Sequence, residues 1–368
     1  MLESAIPEYL RRERTCPAST PPNYVPPFPA YCARFPTILK DPVLAVIGAQ
    51  HTSTPLNGCA DLSIVKEFIE SASGAIQPGS WEFASVTDKR DALNTAILAY
   101  WPSAEKHQAW ETESGFATWW QSPARENDNH GWFQEIFRPA MDCLETVFSN
   151  NENPEGVASM QENVSGELEE HAYWGSMRDR LAAAQNDSLK GIRWRTDQRD
   201  NSLNGADGKR IRVPGKKNLC VIRSGQDWSD TLPDERRLYL ETMHPVLVKG
   251  MEFLRDEGRE VGCYTMNLWD VVDPNTHAAN RERTFGLGFF DDLASLEYWS
   301  KSHKTHINIF GGFLKYAKKL NNVLSLRLFH EVYVLEEDQQ FFEYIGCHED
   351  TGMLASLQSR EARQKREI

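Results

Sequence analysis

The 368-residue sequence has no run approaching the roughly 18 consecutive apolar residues of a membrane-spanning helix. It also lacks a basic excess, since Lys and Arg total 40 against 53 Asp and Glu and the formal net charge is −13. Nucleic acids and anionic membranes attract a basic face, so this balance argues against both as the main partner. Small neutral substrates remain open.

Close cysteine pairs are absent as well. The seven cysteines are an odd number at wide spacings, which suits reduced thiols better than a disulfide framework, and no pair is spaced as in a zinc site. The first residues, MLESAIPEYLRRER, are charged from the third residue and have no apolar core of signal-peptide length. We therefore expect a cytoplasmic protein of one large or two ordinary domains.

Residues 285–335 read as strand, helix, helix, strand and carry three of the ten histidines. In the second helix, His306 lies four residues before Phe310, on the apolar stripe. In the closing strand, His330 shares its parity with Val332 and emerges from the apolar face that the helix would cover. The pattern predicts two imidazoles in one apolar space.

Each of these histidines could instead be a core residue bonded to a backbone carbonyl, because buried polar groups are normally satisfied in that way. Two together weaken this interpretation. An apolar pocket with a helix histidine on one wall and a strand histidine on the other suits a planar macrocycle. The iron of such a macrocycle needs one axial ligand and one distal proton donor.

The runs SHKTHINIFGGF and LRLFHEVYVL resemble the haem-containing aldoxime dehydratases, also called phenylacetaldoxime dehydratases. Further motifs of that family are SAIPEYLRRERTCP and PPFPAYCARF near the start and FFEYIGCHEDTGMLA near the end. The resemblance thus extends from about residue 4 to residue 354 and covers nearly the whole chain.

This resemblance implies a lyase that converts aldoximes to nitriles and water with a b-type haem (haem b), ferrous in the active state and binding the substrate nitrogen. The matching positions make His306 the proximal iron ligand and His330 the distal acid and base. His303, one helical turn earlier, is the competitor for the axial role. Cys347-His348 lacks a cysteine three positions before it, so we expect the haem to be held non-covalently.

Three further residues fall on family motifs. IRSGQDW places Ser224 where the family serine bonds the substrate hydroxyl, although a serine at a strand end is often only a turn former. YWGSMRDRL places Arg178 at the arginine that assists the distal histidine, while Arg180 is interpreted as part of a solvated helix face. CLETVFS supplies Glu145, which as a charge pair with Arg178 would raise the protonated fraction of His330; a surface salt bridge is the alternative.

Two other functional classes remain open. A peroxidase-like or chlorite-decomposing haem enzyme of similar fold would use a distal arginine against peroxide or chlorite. A non-catalytic haem-binding or sensing protein would bind ligands without turnover. By family analogy we expect a small aldoxime such as phenylacetaldoxime as substrate, and a homodimer. The charge balance predicts that neither nucleic acid nor membrane is a partner.

The order of predicted elements is β-α-β-β-α-β, twice. We predict an α+β fold in which two ferredoxin-like units form an antiparallel-sheet core, like a dimeric α+β barrel, with helices outside. The predicted divisions are an extended Pro-rich arm (1–36), the first half (37–160), a helix and polar connecting loop (161–217), the second half with the haem site (218–335) and a C-terminal tail (336–368).

Local patterns predict the elements within these divisions. Strands are predicted over 42–50, 81–87, 92–101, 132–138, 218–224, 261–270, 283–290 and 325–335. Helices are predicted over 60–75, 104–121, 166–184, 234–257, 291–300 and 304–319. Residues 139–160 are predicted to begin helically and to end in a loop, and the charged end of the tail is predicted to be a frayed helix.

Overall fold

A computed structural model describes residues 2–52, 62–150, 152–171, 176–193, 209–276, 278–279 and 282–358. The predicted α+β class is confirmed, because a large antiparallel sheet and helices make up the chain. The predicted frayed helix at the end of the tail lies outside the described residues. Within the described ranges, none of the helices has the length and apolar character needed to cross a bilayer.

The described residues form thirteen strands, which supply the sheets. They are β1 (Ala33–Arg34), β2 (Val43–His51), β3 (Ser80–Thr87), β4 (Leu93–Trp101), β5 (Gly131–Phe137), β6 (Leu144–Phe148), β7 (Asn163–Val164), β8 (Arg210–Val213), β9 (Leu219–Asp227), β10 (Cys263–Val272), β11 (Arg283–Phe290), β12 (Arg327–Leu335) and β13 (Gln340–Ile345). The helices are α1 (Ser63–Glu70), α2 (Ala104–Glu113), α3 (Phe116–Gln121), α4 (Ser176–Arg180), α5 (Pro233–Leu238), α6 (His244–Asp256), α7 (Leu293–Ser302) and α8 (Lys304–Lys319).

Eleven strands form one sheet in the order β6-β12-β9-β11-β10-β3-β4-β2-β5-β13-β8, with antiparallel pairing throughout. The sheet curls on itself, because side chains from distant strands meet across its inner face. Phe137 of β5 packs edge-on against Phe289 of β11, with ring centroids 5.4 Å apart. Tyr100 of β4 donates a 2.7 Å hydrogen bond to Glu331 of β12.

Helices pack against the outer face of the sheet, and the alternation of side chains along each strand separates the two faces. In β2, Val46 belongs to the inner core, whereas Ile47 packs with Trp110 of α2 in an outer cluster. A second outer cluster joins Leu254 of α6 to Val332 of β12. The functional candidates in β12 and its neighbours therefore lie between the sheet and the helices of the second half.

Two predicted helices are interrupted for clear chemical reasons. The helix predicted over 104–121 is two helices, because Gly115 adopts φ +86° between α2 and α3. The helix predicted over 234–257 contains a π-helical turn at Tyr239–Met243 before α6. Pro245 follows directly, and its missing N–H removes one regular helical hydrogen bond at that point.

Other predicted elements were wrong or missed. Residues 144–148 form β6 at the edge of the sheet rather than a helix. In the described part of this segment, the helix predicted over 166–184 is reduced to α4 and a 3-10 turn, since the arm holds its first part extended: Glu3 donates from its N–H to Glu167 O at 2.8 Å. β8 and β13 were missed because one lies in a polar segment and the other in the tail.

Candidate active site

α8 begins at a histidine that caps it. His303 accepts a hydrogen bond from the Thr305 backbone N–H and contacts the Thr305 hydroxyl at 2.8 Å. Its ring also stacks on Phe253 of α6, with centroids 4.1 Å apart. Both contacts give this candidate axial ligand a structural role at the helix N-terminus.

His306 lies in the first turn of α8, as predicted. Its Nδ1 lies 2.8 Å from the Ser300 carbonyl, and its ring packs edge-on against Trp299. A carbonyl can only accept, so Nδ1 carries the proton and Nε2 carries the lone pair. Burial lowers the pKa of His306 to about 4, so the ring is neutral near pH 7. This is the tautomer and charge state of a metal-ligating imidazole.

Ser224 and His330 lie side by side on one face of the sheet. The two residues are directly opposed in the antiparallel pair of β9 and β12. Directly opposed residues of such a pair point to the same face with Cβ atoms roughly 5 Å apart. The predicted serine and distal histidine are thus neighbours, although 106 residues separate them in the sequence.

Burial, together with electrostatic interactions with Arg180, His306 and His171, lowers the pKa of His330 to about 3. The predicted increase in protonated His330 is therefore wrong for this structure. All four groups lie close enough to interact electrostatically. His306 and His330 nevertheless keep some accessible surface.

Glu145 forms its charge pair with Arg180, not with Arg178. The Arg180 guanidinium donates to both Glu145 carboxylate oxygens, at 2.6 and 3.0 Å, and both side chains are buried. Burial raises the pKa of Glu145, and the positive charge of Arg180 opposes that rise. Arg178 instead donates to both oxygens of Glu297 on α7.

Two predictions are corrected by these contacts. Arg180 was expected on a solvated helix face, but it is 8% exposed. The physical reason is that β6 brings the buried carboxylate of Glu145 under α4, and this carboxylate requires a cationic partner. Arg178 extends from α4 toward α7, where it forms a salt bridge with Glu297.

His171 was missed by the sequence analysis. Its Nδ1 lies 3.3 Å from the Phe28 carbonyl of the arm, and burial lowers its pKa to about 4. The position gave no signal by periodicity, because the segment is neither strand nor helix. Its nearness to the YWGSMRDRL motif was the one available hint.

The residues present fit a haem bound through one axial side chain. No group of three or more His, Cys, Asp or Glu arranged to hold a metal ion occurs in the described part of the chain. A haem iron needs only one such ligand, because the macrocycle supplies the other four. His306 offers a neutral imidazole with its lone pair on Nε2, and His330 and Ser224 place an imidazole and a hydroxyl side by side on the neighbouring strands β12 and β9.

Comparisons with known proteins agree with this chemistry. The family model described as haem-containing dehydratase matches residues 45–353. An aliphatic aldoxime dehydratase of Pseudomonas sp. is 36% identical over 357 residues, which cover 97% of this chain and 99% of that protein. The phenylacetaldoxime dehydratase of Bacillus sp. (strain OxB-1) is 28% identical over 349 residues, 94% and 96% of the two chains.

A solved structure is similar over the same extent. It is a crystal structure of an aldoxime dehydratase in complex with butyraldoxime, with 35% sequence identity and a TM-score of 0.87. The match covers 96% of each chain. The sheet and helices described above are therefore those of that protein's fold.

Proposed function

This chain belongs to the family of haem-containing dehydratases, and we propose that it is a lyase that removes water from aldoximes to give nitriles. The observation that carries the proposal is the direct opposition of Ser224 and His330 in β9 and β12, with His306 of α8 close enough to affect the pKa of His330. Relatives support the proposal as well, because aldoxime dehydratases match this chain over nearly its full length.

His306 would hold the haem iron through Nε2, with Nδ1–H fixed on the Ser300 carbonyl. When bound in its ferrous state, the haem supplies a site for the oxime nitrogen and electron density that weakens the N–O bond. Because the covalent attachment signature is absent, the haem would be held non-covalently, with His306 as its protein ligand. In this proposal, Ser224 and His330 then bind the hydroxyl group and transfer the protons.

Ser224 binds the oxime hydroxyl, and His330 carries the proton. Protonated His330 gives its proton to the oxime oxygen, the N–O bond breaks, and water leaves. The same imidazole then takes the proton from the aldehydic carbon, so the nitrile forms and the proton balance closes. Because burial lowers the pKa of His330, the imidazole is mostly neutral near pH 7, and its small protonated fraction is a strong acid toward the poor leaving group.

Arg180 replaces Arg178 in the proposed site, with Glu145 as its partner. Arg180 lies near enough to His330 to change its pKa, whereas Arg178 is held by Glu297. We propose that the Arg180–Glu145 pair polarises the distal side and orients the proton carrier. The pair keeps a cation beside His330 while Glu145 balances the charge.

The finer fold and assembly are also proposals. Four strands of each half follow the order β5-β2-β4-β3 or β12-β9-β11-β10, that is fourth, first, third, second in chain order. This order supports two ferredoxin-like units, within residues 37–160 and 218–335. A homodimer and a cytoplasmic location are proposed from the sequence resemblance and the cysteine pattern alone.

Replacing the two key histidines tests the function. With dithionite, haem and phenylacetaldoxime, the wild-type protein should form phenylacetonitrile, measured by chromatography. His330→Ala should bind haem but lose at least about 100-fold in kcat, the scale of a lost general acid. His306→Ala should lose haem affinity, while the control His303→Ala should keep both haem and turnover.

Three results would contradict the proposal or its assignments. Full activity without haem would exclude the haem-dependent reaction. Turnover of peroxide dyes with no nitrile would favour the peroxidase-like alternative. Loss of haem in His303→Ala, with retention in His306→Ala, would exchange the roles assigned to the two histidines.

A further inference from the structure

The N-terminal arm is bonded to the residue that precedes Arg180. The carboxylate of Asp179 is fully buried, and it accepts hydrogen bonds from Ser19 N–H at 2.9 Å, Thr20 N–H at 2.5 Å and the Thr20 hydroxyl at 2.7 Å. Arg14 also donates to the Asp179 carbonyl at 3.3 Å. A buried carboxylate that accepts three donors is strongly fixed in position.

The arm also follows the chain beyond Arg180. The Gln185 side chain accepts from Arg12 N–H at 2.9 Å and donates to the Leu10 carbonyl at 2.9 Å. The Gln185 carbonyl accepts from the backbone N–H groups of Thr15 and Cys16. The segment that carries Arg180 is therefore fastened to the arm at two points, one on each side of the arginine.

A third contact, made by Phe28, connects the arm with His171 and with α8. The Phe28 carbonyl holds His171, which lies within electrostatic reach of His330. The Phe28 ring packs edge-on against Phe313 of α8, with centroids 5.4 Å apart. The arm thus touches the helix of His306 as well as the distal side.

Arg180 itself depends on this framework. Its guanidinium donates to Glu145 and to the Glu170 carbonyl, at 2.9 Å for the latter. Glu170 is in turn fixed by the arm, because its carboxylate accepts from the Ser4 hydroxyl at 2.7 Å and from Ala5 N–H at 2.8 Å. A cavity of about 210 Å³ lies between the arm and this pair, with Arg180 and Glu145 in its wall.

We propose that the N-terminal arm is a working part of the active site: the bonds from Ser19 and Thr20 make Asp179 a positioning residue that holds Arg180 against Glu145 and beside His330. This inference rests on the proposed function for the role of Arg180. The anchoring of residues 176–185 by the arm is independent of that function and is measurable without haem or substrate.

The test replaces the side-chain hydroxyl that donates to the Asp179 carboxylate. Thr20→Val removes the hydroxyl but keeps shape and backbone donors, Thr20→Ser restores the hydroxyl, and Thr15→Val makes the same change elsewhere on the arm. Thr15 is exposed, and its hydroxyl has only a 3.4 Å contact with Asn186. Two readouts are measured for each: hydrogen-deuterium exchange of residues 176–185, and kcat and KM for phenylacetaldoxime in the reduced holoenzyme.

We expect exchange in Thr20→Val to be at least fivefold faster over residues 176–185, with kcat at least fivefold lower, KM within twofold and the Soret band unchanged. Thr20→Ser should restore both values, and Thr15→Val should match the wild type. Unchanged exchange in Thr20→Val would overturn the anchor. Faster exchange with unchanged kcat in an active enzyme would overturn the positioning of Arg180.

Failure of the proposed function gives a different result. A wild-type holoenzyme that forms no nitrile would overturn the aldoxime chemistry, and the exchange data would still decide whether the arm anchors this segment. A uniform increase in exchange over the whole chain in Thr20→Val would mean general destabilisation and would count against a local anchor. Asp179→Asn, which weakens the same bonds from the other side, should reproduce the local effect.

Discussion

Arg180 and Glu145 form a buried pair whose geometry explains why an ionised group is stable beside a neutral histidine. The guanidinium donates to both carboxylate oxygens, and a third N–H donates to the Glu170 carbonyl. Removing one member of such a pair costs about 3–5 kcal/mol, because the other charge is then buried alone. A test of Arg180 must therefore keep the charge.

Arg180→Lys keeps the charge but loses the two-pronged geometry. We expect kcat to fall by about 100-fold, within the range for an impaired proton transfer, while haem binding remains. The matched control is Arg178→Lys, two residues away on the same helix and paired with Glu297, where we expect a change within about threefold. Steady-state kinetics of both variants measure this. A large loss in Arg178→Lys with little change in Arg180→Lys would return the role to Arg178.

At the scale of single residues, the sequence predicts the positions of those side chains that a periodic pattern determines. The parity of β12 placed His330 on the helix-facing side, and the stripe of α8 placed His306 in its first turn, both visible in sequence. Arg180 and His171 could not be found in that way. Their burial depends on the arm and on β6, which meet them only in the folded chain.

Among the elements, the break between α2 and α3 shows how a single conformation ends a helix. Gly115 has φ +86°. The nearest neighbour of a Cβ placed there would be a ring carbon of Phe68, 3.9 Å away. The conformation, not crowding, therefore excludes other residues at this position. The short helix α3 then places Phe116 and Trp120 in the outer core.

Gly115→Ala should lower the free energy of unfolding by about 1–2 kcal/mol, the cost of a left-handed conformation for an L-residue. The control is Gly74→Ala, since a Cβ there meets nothing within 4 Å and the residue has no positive φ. That change should be neutral or stabilise by up to about 1 kcal/mol. Urea denaturation measures both; equal effects of the two substitutions would refute the conformational explanation.

Helices and strands with a strong hydrophobic periodicity were predictable from the sequence, whereas strands toward the ends of the sheet were not. The helix predicted over 304–319 has those bounds, and the strand predicted over 283–290 does too. β6 and β13 carry polar residues among apolar ones and gain their strand character from neighbours in the sheet. Strand preference depends on such packing more than on the residues themselves.

At the scale of the whole molecule, the curled sheet separates a buried interior from the face that carries the candidate active site. Arg223 and Glu331 lie next to Ser224 and His330 in their strands but point inward. Glu331 is held by Tyr100, and Arg223 by Glu82. Alternation along β9 and β12 thus places a buried ionic network directly behind the candidate active site. This arrangement fixes the two strands that carry His330 and Ser224.

The most direct test of haem-dependent dehydration is an optical titration of the reduced holoenzyme with phenylacetaldoxime, followed by chromatography of the same sample. We predict a Soret band that shifts when the oxime is added to the ferrous protein, and nitrile formed in step with the loss of the shifted species. The ferric protein should form none until it is reduced. The central claim would be contradicted if the fully haem-loaded, reduced protein showed no Soret shift on addition of the oxime and formed no nitrile.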